Sequence, residues 1–245
     1  MINSKAAVAQ GRVDCSIYGG AGLVLPAGSS HDYMISSGYD SKLNPIYALG
    51  GEVKFKFSSS PNTLFIKPGI EGNRTTVLYS KSSNSTREMT ASYLKGGKLV
   101  KYETTRFNSS YDNISSVSYN VLVPVTVGYQ FSLGNSEQCK MAIGATGLAG
   151  LPVFSRTTDE SGWLISYRPF YEDGGKKVFN KQADGDKSVE NTNHKIDIDN
   201  FYYGFGGQLT FMLGKFNIQY SFRYEIGKTG DDHSLNNLLA IGFTF

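Results

Sequence analysis

The stretch Val117–Ser132 most narrows what this chain can become. Its odd positions read Val117, Tyr119, Val121, Val123, Val125, Val127, Tyr129 and Phe131, all β-branched or aromatic. Its even positions read Ser118, Asn120, Leu122, Pro124, Thr126, Gly128, Gln130 and Ser132, mostly small or polar. A helix would scatter these residues round its circumference; a strand sorts them onto two chemically different faces. Whatever fold results must supply an apolar medium to one face and a polar one to the other.

The same period recurs along the chain. Near Val13–Leu25 one face carries Val13, Cys15, Ile17, Ala21, Leu23 and Leu25. Ile46–Phe57 sets Tyr47, Leu49, Val53, Phe55 and Phe57 against Glu52, Lys54 and Lys56. Thr63–Tyr79 sets Leu64, Ile66, Pro68 and Ile70 against Lys67 and Glu71. Lys140–Val153 shows Met141, Ile143, Leu151 and Val153, and Phe201–Leu213 shows Tyr203, Phe205, Leu209, Phe211 and Leu213. Phe216–Ile226 alternates Phe216, Ile218, Tyr220, Phe222, Tyr224 and Ile226 with Asn217, Gln219, Ser221, Arg223 and Glu225. Leu235–Phe245 closes the series with Leu239, Ile241, Phe243 and Phe245. Abundant glycine (28) and tyrosine plus phenylalanine (16 and 15) suit many strands joined by turns.

Connection lengths alternate. Ser58–Asn62, Gly134–Gln138 and Gly214-Lys215 are short, whereas Pro26–Pro45, Ser80–Ile114 and Phe154–Asn200 are long polar loops, with a modest one at Lys228–Ser234. In an up-and-down sheet every second connection shares a rim, so tight turns gather at one end and long loops at the other. Transmembrane barrels have this asymmetry. Volume then decides which face points in. The apolar faces hold roughly forty residues, mostly bulky, and an eight-stranded barrel has an interior just wide enough for side chains to fill. The apolar faces must point outward, which in water is an aggregation hazard and in a bilayer is the required surface. No run of 18 apolar residues provides a spanning helix.

The expected fold is therefore all-β: a closed antiparallel up-and-down transmembrane barrel of about eight strands, with short periplasmic turns and long extracellular loops. Arg87–Phe107, around Lys95-Gly96-Gly97-Lys98, reads as a hairpin reaching beyond the membrane, because Lys101, Glu103 and Arg106 interrupt any lipid face. Two extra spanning strands there, about ten in all, are the fallback. The lipid-facing set includes Val121, Val123, Val125, Val127, Phe216, Ile218, Tyr220 and Phe222. The lumen set is Glu52, Lys54, Lys56, Lys67, Glu71, Arg223 and Glu225, whose mixed signs should pair because an unpaired buried charge is costly. Its expected role is to fill and lock the barrel, with a proton or ion path as the sharper alternative. Aromatics near strand ends, such as Tyr129, Phe131, Phe55, Phe57, Phe243 and Phe245, fit an interfacial girdle.

Residues 13–245 form one barrel domain in this reading, and residues 1–12 an N-terminal tail. Ala7-Val8-Ala9 before Gln10 looks like the end of a secretory signal peptide, or else a disordered start. Cys15 and Cys139 are expected to stay unpaired. His31, His194 and His233 fall in loops without metal-ligand spacing, and Asp184-Gly185-Asp186 lacks the rest of a calcium loop. Gly204-Phe205-Gly206-Gly207 sits within a strand, where small residues let the wall bend or pack. No cofactor, metal or catalytic residue is assigned, and a net charge of +3 without a basic stripe gives no sign of nucleic acid.

Tyr119–Phe131, with Val123-Pro124 and Tyr129-Gln130-Phe131, resembles the characteristic strand of the outer-membrane β-barrel families abundant in Bacteroidetes, which include PorT-like proteins. Val121-Leu122-Val123 departs from it where those families often carry an acidic residue and isoleucine. The glycine-rich Met141–Leu151 is similar as well. So is Leu238–Phe245, whose Phe243 and terminal Phe245 resemble the signal read by the barrel-assembly machinery. The resemblance implies a bacterial outer-membrane location, with outer-membrane lipid, the assembly machinery and an envelope or secretion protein as partners. It implies a structural or interaction role in adhesion, envelope integrity or secretion. Two alternatives are a soluble lipocalin-like barrel for a lipophilic ligand and an outer-membrane lipid-modifying enzyme using His233-Ser234 or His31 with Ser29 or Ser30.

Overall fold

The computed structural model describes residues 13–95, 98–134, 138–173, 176–179, 183–195, 201–227 and 231–245. Eight long strands follow the alternating segments: β1 (Val13–Gly28), β2 (Pro45–Lys56), β3 (Thr63–Lys95), β4 (Lys98–Ser132), β5 (Cys139–Asp173), β6 (Tyr202–Leu213), β7 (Phe216–Gly227) and β8 (Asp232–Thr244). Each pairs with its sequence neighbours, and β1 pairs with β8, so the sheet closes into a ring of eight. Closure leaves no edge to be satisfied by solvent or lipid. Neighbouring wall strands run antiparallel, for example with Ile17 opposite Phe243, Ile218 opposite Ile241 and Ala145 opposite Gly207.

Two sequence expectations need correction. Ser80–Ile114 and Phe154–Asn200 are not long loops, since strand continues through most of them: β3 runs to Lys95, β4 starts at Lys98 and β5 extends to Asp173. Short strands at Lys176–Phe179 and Ala183–Lys195 pair with β5. Alternation of small polar residues with occasional aromatics builds a strand without a continuous apolar face, so polarity alone misread these segments as loop. The hairpin around Lys95 and Lys98 belongs to β3 and β4 and adds no wall strand, so the ring has eight strands and not ten. Gly96 and Gly97, the signal-like Ala7-Val8-Ala9 and the side chains of His194, Asp184 and Asp186 lie outside the described residues.

The chain divides into two compact units. One comprises the sequence up to Leu78, Ser115–Thr157 and Lys195–Phe245; the other comprises Tyr79–Ile114 and Thr158–His194. Within the second, Asn108 Nδ2 donates to Ser85 Oγ at 3.2 Å and Tyr111 Oη to Glu160 Oε1 at 3.4 Å. The first contains the barrel wall.

In that wall the burial pattern is inverted relative to a soluble protein. Polar and charged side chains make up the larger part of the buried set, while Leu49, Phe57, Ile70, Phe216 and Ile241 point outward and are exposed. Among the described residues no helix is long and apolar enough to cross a membrane. The strands supply the apolar surface instead, as a transmembrane barrel requires.

Pro26–Pro45 folds into the helix α1 (Ser29–Ser36) and a two-residue strand, Asp40–Ser41. Gly28 precedes the helix with φ +97°, and a Cβ there would strike the carbonyl oxygen of Asp231. Asp232 caps the helix from across the rim, accepting from Ser30 N at 3.0 Å and from Ser30 Oγ at 2.9 Å.

Candidate functional site

The inward parity of each strand dictates what fills the lumen. Near the short-turn end, Lys56 pairs with Asp14 at 2.9 Å. Lys54 donates to Gln130 Oε1 at 3.0 Å and lies 5.3 Å from the Phe65 ring centroid. One layer further in, Lys67 pairs with Glu52 at 2.9 Å, and Glu52 also accepts from Gln219 at 2.8 Å. At mid-height Arg223 forks onto Glu71, Nη1 to Oε1 at 2.6 Å and Nη2 to Oε2 at 2.8 Å. Tyr18 Oη donates to the same carboxylate at 2.7 Å. Glu71 is fully buried, so these three bonds supply the partners that water would otherwise give. Thr126 with Thr146 (2.8 Å) and Asn120 with Asn73 (2.8 Å) tie further strands together.

All seven sequence-predicted lumen residues thus face inward, but they do not form one cluster. They form a ladder of pairs along the barrel, and Glu225 stands apart near the long-connection end. There the lumen widens into a chamber of about 470 Å³, reaching from Asn120 and Asn236 to Pro26, Gly227 and Asp232. Tyr202 and Glu225 also line it. Glu225 Oε1, Tyr202 Oη and both amide atoms of Asn236 are buried there without a hydrogen-bonding partner. An apolar patch of Val24, Ile46, Ala48 and Leu238 packs inside the wall beside this polar set. A lumen of this composition cannot serve as a lipophilic calyx, because the bulky apolar faces are outside.

Outward parity is equally consistent. Val121, Val123, Val125, Val127, Phe216, Ile218, Tyr220 and Phe222 are all exposed on the outer face. Tyr220 satisfies its hydroxyl on Asn237 Oδ1 at 2.9 Å. Aromatics gather toward both ends of the wall. Phe216 stacks edge-on against Phe243 at 5.6 Å at the short-turn end, and Tyr119 against Phe154 at 5.9 Å toward the other. Phe243 is half-buried and Phe245 exposed. Cys15 and Cys139 are free thiols.

The histidine–serine pairs fare differently. His233 and Ser234 are consecutive on β8, so their side chains leave opposite faces of the sheet. His233 stacks against the outward Tyr224 ring at 5.3 Å. His31 lies on α1, and Ser30 of the same helix is engaged by Asp232. Among the described residues no three His, Cys, Asp or Glu side chains converge on a metal position.

Sequence reading missed Asp14, Tyr18, Tyr202 and Asn236 among the residues that line the lumen. Each sits at an inward position of its strand, so parity alone would have found them; attention to charge did not. In Gly204-Phe205-Gly206-Gly207 the middle glycine has a definite reason. A Cβ on Gly206 would land on the carbonyl oxygen of Phe222, where β6 and β7 approach closely.

No protein-family model matches the chain, and no curated protein matches it in sequence. Solved structures align along nearly its whole length. Ail, the attachment invasion locus protein of Yersinia pestis, aligns at 13% identity over 96% of this chain and 99% of its own, with a TM-score of 0.35. Neisserial surface protein A aligns at 9% identity over 96% and 97%, with a TM-score of 0.33. The β domain of the Bordetella autotransporter BrkA aligns at 12% identity over 96% and 99%, with a TM-score of 0.30. At these scores the closed ring itself, and not the likeness, carries the assignment of fold.

Proposed function

We propose that this chain is a small barrel of the bacterial outer membrane with a structural and interaction role. One observation carries the reading: an apolar outer wall encloses a lumen crossed at mid-height by the Arg223–Glu71–Tyr18 junction. The first feature demands hydrocarbon outside. The second obstructs a continuous water path, so conduction of solutes is a poor use of this barrel. What is left for function is the rim with the long connections, and the second unit of Tyr79–Ile114 and Thr158–His194. An envelope or secretion protein is the expected partner there, and the barrel-assembly machinery reads Phe243 and Phe245 during biogenesis. The kinship with Bacteroidetes-type families rests on the Tyr119–Phe131 and Leu238–Phe245 segments.

The test combines membrane fractionation with gel mobility. The chain should fractionate with outer membranes and migrate differently before and after boiling. Recovery in the soluble fraction, or identical mobility in both states, refutes the reading. Cross-linking in native envelopes, followed by recovery of the barrel, then identifies the partner.

A further inference from the structure

We propose that the chamber at the long-connection end binds a small primary amine as its ammonium ion, held by Glu225, Asn236 and Tyr202. Three buried oxygens without a protein partner line this one cavity: Glu225 Oε1, Asn236 Oδ1 and Tyr202 Oη. A primary ammonium has three N–H donors and no acceptor, which matches that set in number and polarity. Asn236 Nδ2, also unpaired, supplies one donor for an oxygen on the carbon beyond the amine-bearing one. Leaving such groups unmatched is costly at each atom, so the arrangement is suited to a ligand that satisfies all of them at once.

Charge points the same way. The other lumen carboxylates have cationic partners: Asp14 has Lys56, Glu52 has Lys67 and Glu71 has Arg223. Glu225, nine-tenths buried, has no cationic partner within ion-pair distance among the described residues. Arg223 is the nearest cation along its own strand, and its guanidinium is already forked onto Glu71. No lysine or arginine lines the chamber, while Asp232 adds a second acidic side chain at its mouth. An anion would therefore meet the Glu225 charge with no lysine or arginine in the lining to offset it. A divalent metal ion would find one buried carboxylate where such ions usually collect several oxygen ligands. The volume of about 470 Å³ lies in the range of small-molecule sites.

The test uses the full chain folded in dodecyl maltoside, with 2-aminoethanol as probe and titration calorimetry or ligand-observed NMR as readout. One saturable site is expected. Ethylene glycol and acetate should not bind. Choline, whose quaternary nitrogen has no N–H, should bind at least about tenfold more weakly. Glu225→Gln preserves shape and should weaken 2-aminoethanol by about tenfold or more, and Asn236→Ala by a smaller factor. Gln208→Ala, lower in the lumen, should leave affinity unchanged. Heat-modifiable mobility verifies that each variant has folded. If Glu225→Gln fails to fold, Tyr202→Phe and the ligand series on the unmodified chain still decide. Equal affinity for choline or ethylene glycol, undiminished binding by Glu225→Gln, or no saturable binding at millimolar 2-aminoethanol would overturn the proposal. None of these results depends on which protein the barrel meets outside.

Discussion

Removing Arg223 should cost more than any other single change in the lumen, and the structure says why. Glu71 is fully buried and accepts bonds of 2.6, 2.8 and 2.7 Å, two from Arg223 and one from Tyr18. In Arg223→Met the carboxylate keeps only the tyrosine bond and loses its countercharge. Breaking a buried pair from one side costs about 3–5 kcal/mol, chiefly because the surviving charge is stranded. Replacing both partners, as in Glu71→Leu with Arg223→Met, removes the stranded charge and leaves Tyr18 one unmade bond, a loss of about 1–3 kcal/mol. Glu71→Leu alone strands Arg223 at a similar cost, so the double variant should be no less stable than either single one, and the coupling should be at least about 3 kcal/mol. Reversible urea unfolding in micelles, followed by the mobility difference between folded and unfolded bands, measures all three variants. Additive losses, or an Arg223→Met loss under about 1 kcal/mol, would mean that the junction is solvated and not a dry lock.

Other expectations can be checked with the same mobility assay. Val125→Asp puts a charge on the outward wall and should cut the folded fraction sharply, whereas Thr126→Ser, its inward neighbour, should fold like the original. Gly28→Ala forces a Cβ onto the Asp231 carbonyl at φ +97° and should lose about 1–3 kcal/mol, read by urea midpoint. Deleting Phe245 should slow assembly into native envelopes while leaving spontaneous folding in detergent nearly unchanged; equal assembly rates would remove its role as a signal.

Fold was legible because period two is a strong signal and volume fixes its sense. Val117–Phe131 and Phe216–Ile226 alone set the strand type, and the bulk of the apolar faces pointed them outward. The lumen was half legible. Charges such as Lys67 and Glu71 announce themselves, but their partners depend on register, and no single strand states which residue of another lies at its height. Tyr18 meets Glu71 from two strands away, through neighbours that only the closed sheet aligns. The chamber was invisible for the same reason: Tyr202, Glu225 and Asn236 come from three strands. The extended parts of β3, β4 and β5 were misread because their sequences lack a continuous apolar face, and without one the period of two fades.

The ladder has a second consequence, for register. A one-residue slip turns every inward side chain outward. For β7 that would set Asn217, Gln219, Ser221, Arg223 and Glu225 against lipid, and for β3 Lys67 and Glu71. A basic side chain on the lipid face costs about 2–4 kcal/mol at mid-depth, so these two strands reject the slip strongly. In β4 the inward residues Ser118 to Gln130 carry no charge, so that strand relies on its neighbours for alignment. Stripping both ion pairs, with Glu52→Leu, Lys67→Met, Glu71→Leu and Arg223→Met together, should therefore leave a barrel that folds but in more than one alignment. Cysteines at Ser221 and Leu238, which face each other in the native register, report on this once Cys15 and Cys139 are replaced by serine. Cross-linking across that pair should be nearly complete in the charged barrel and partial in the stripped one. If it stays complete in both, the ion pairs stabilise without specifying, and alignment is set by the turns alone.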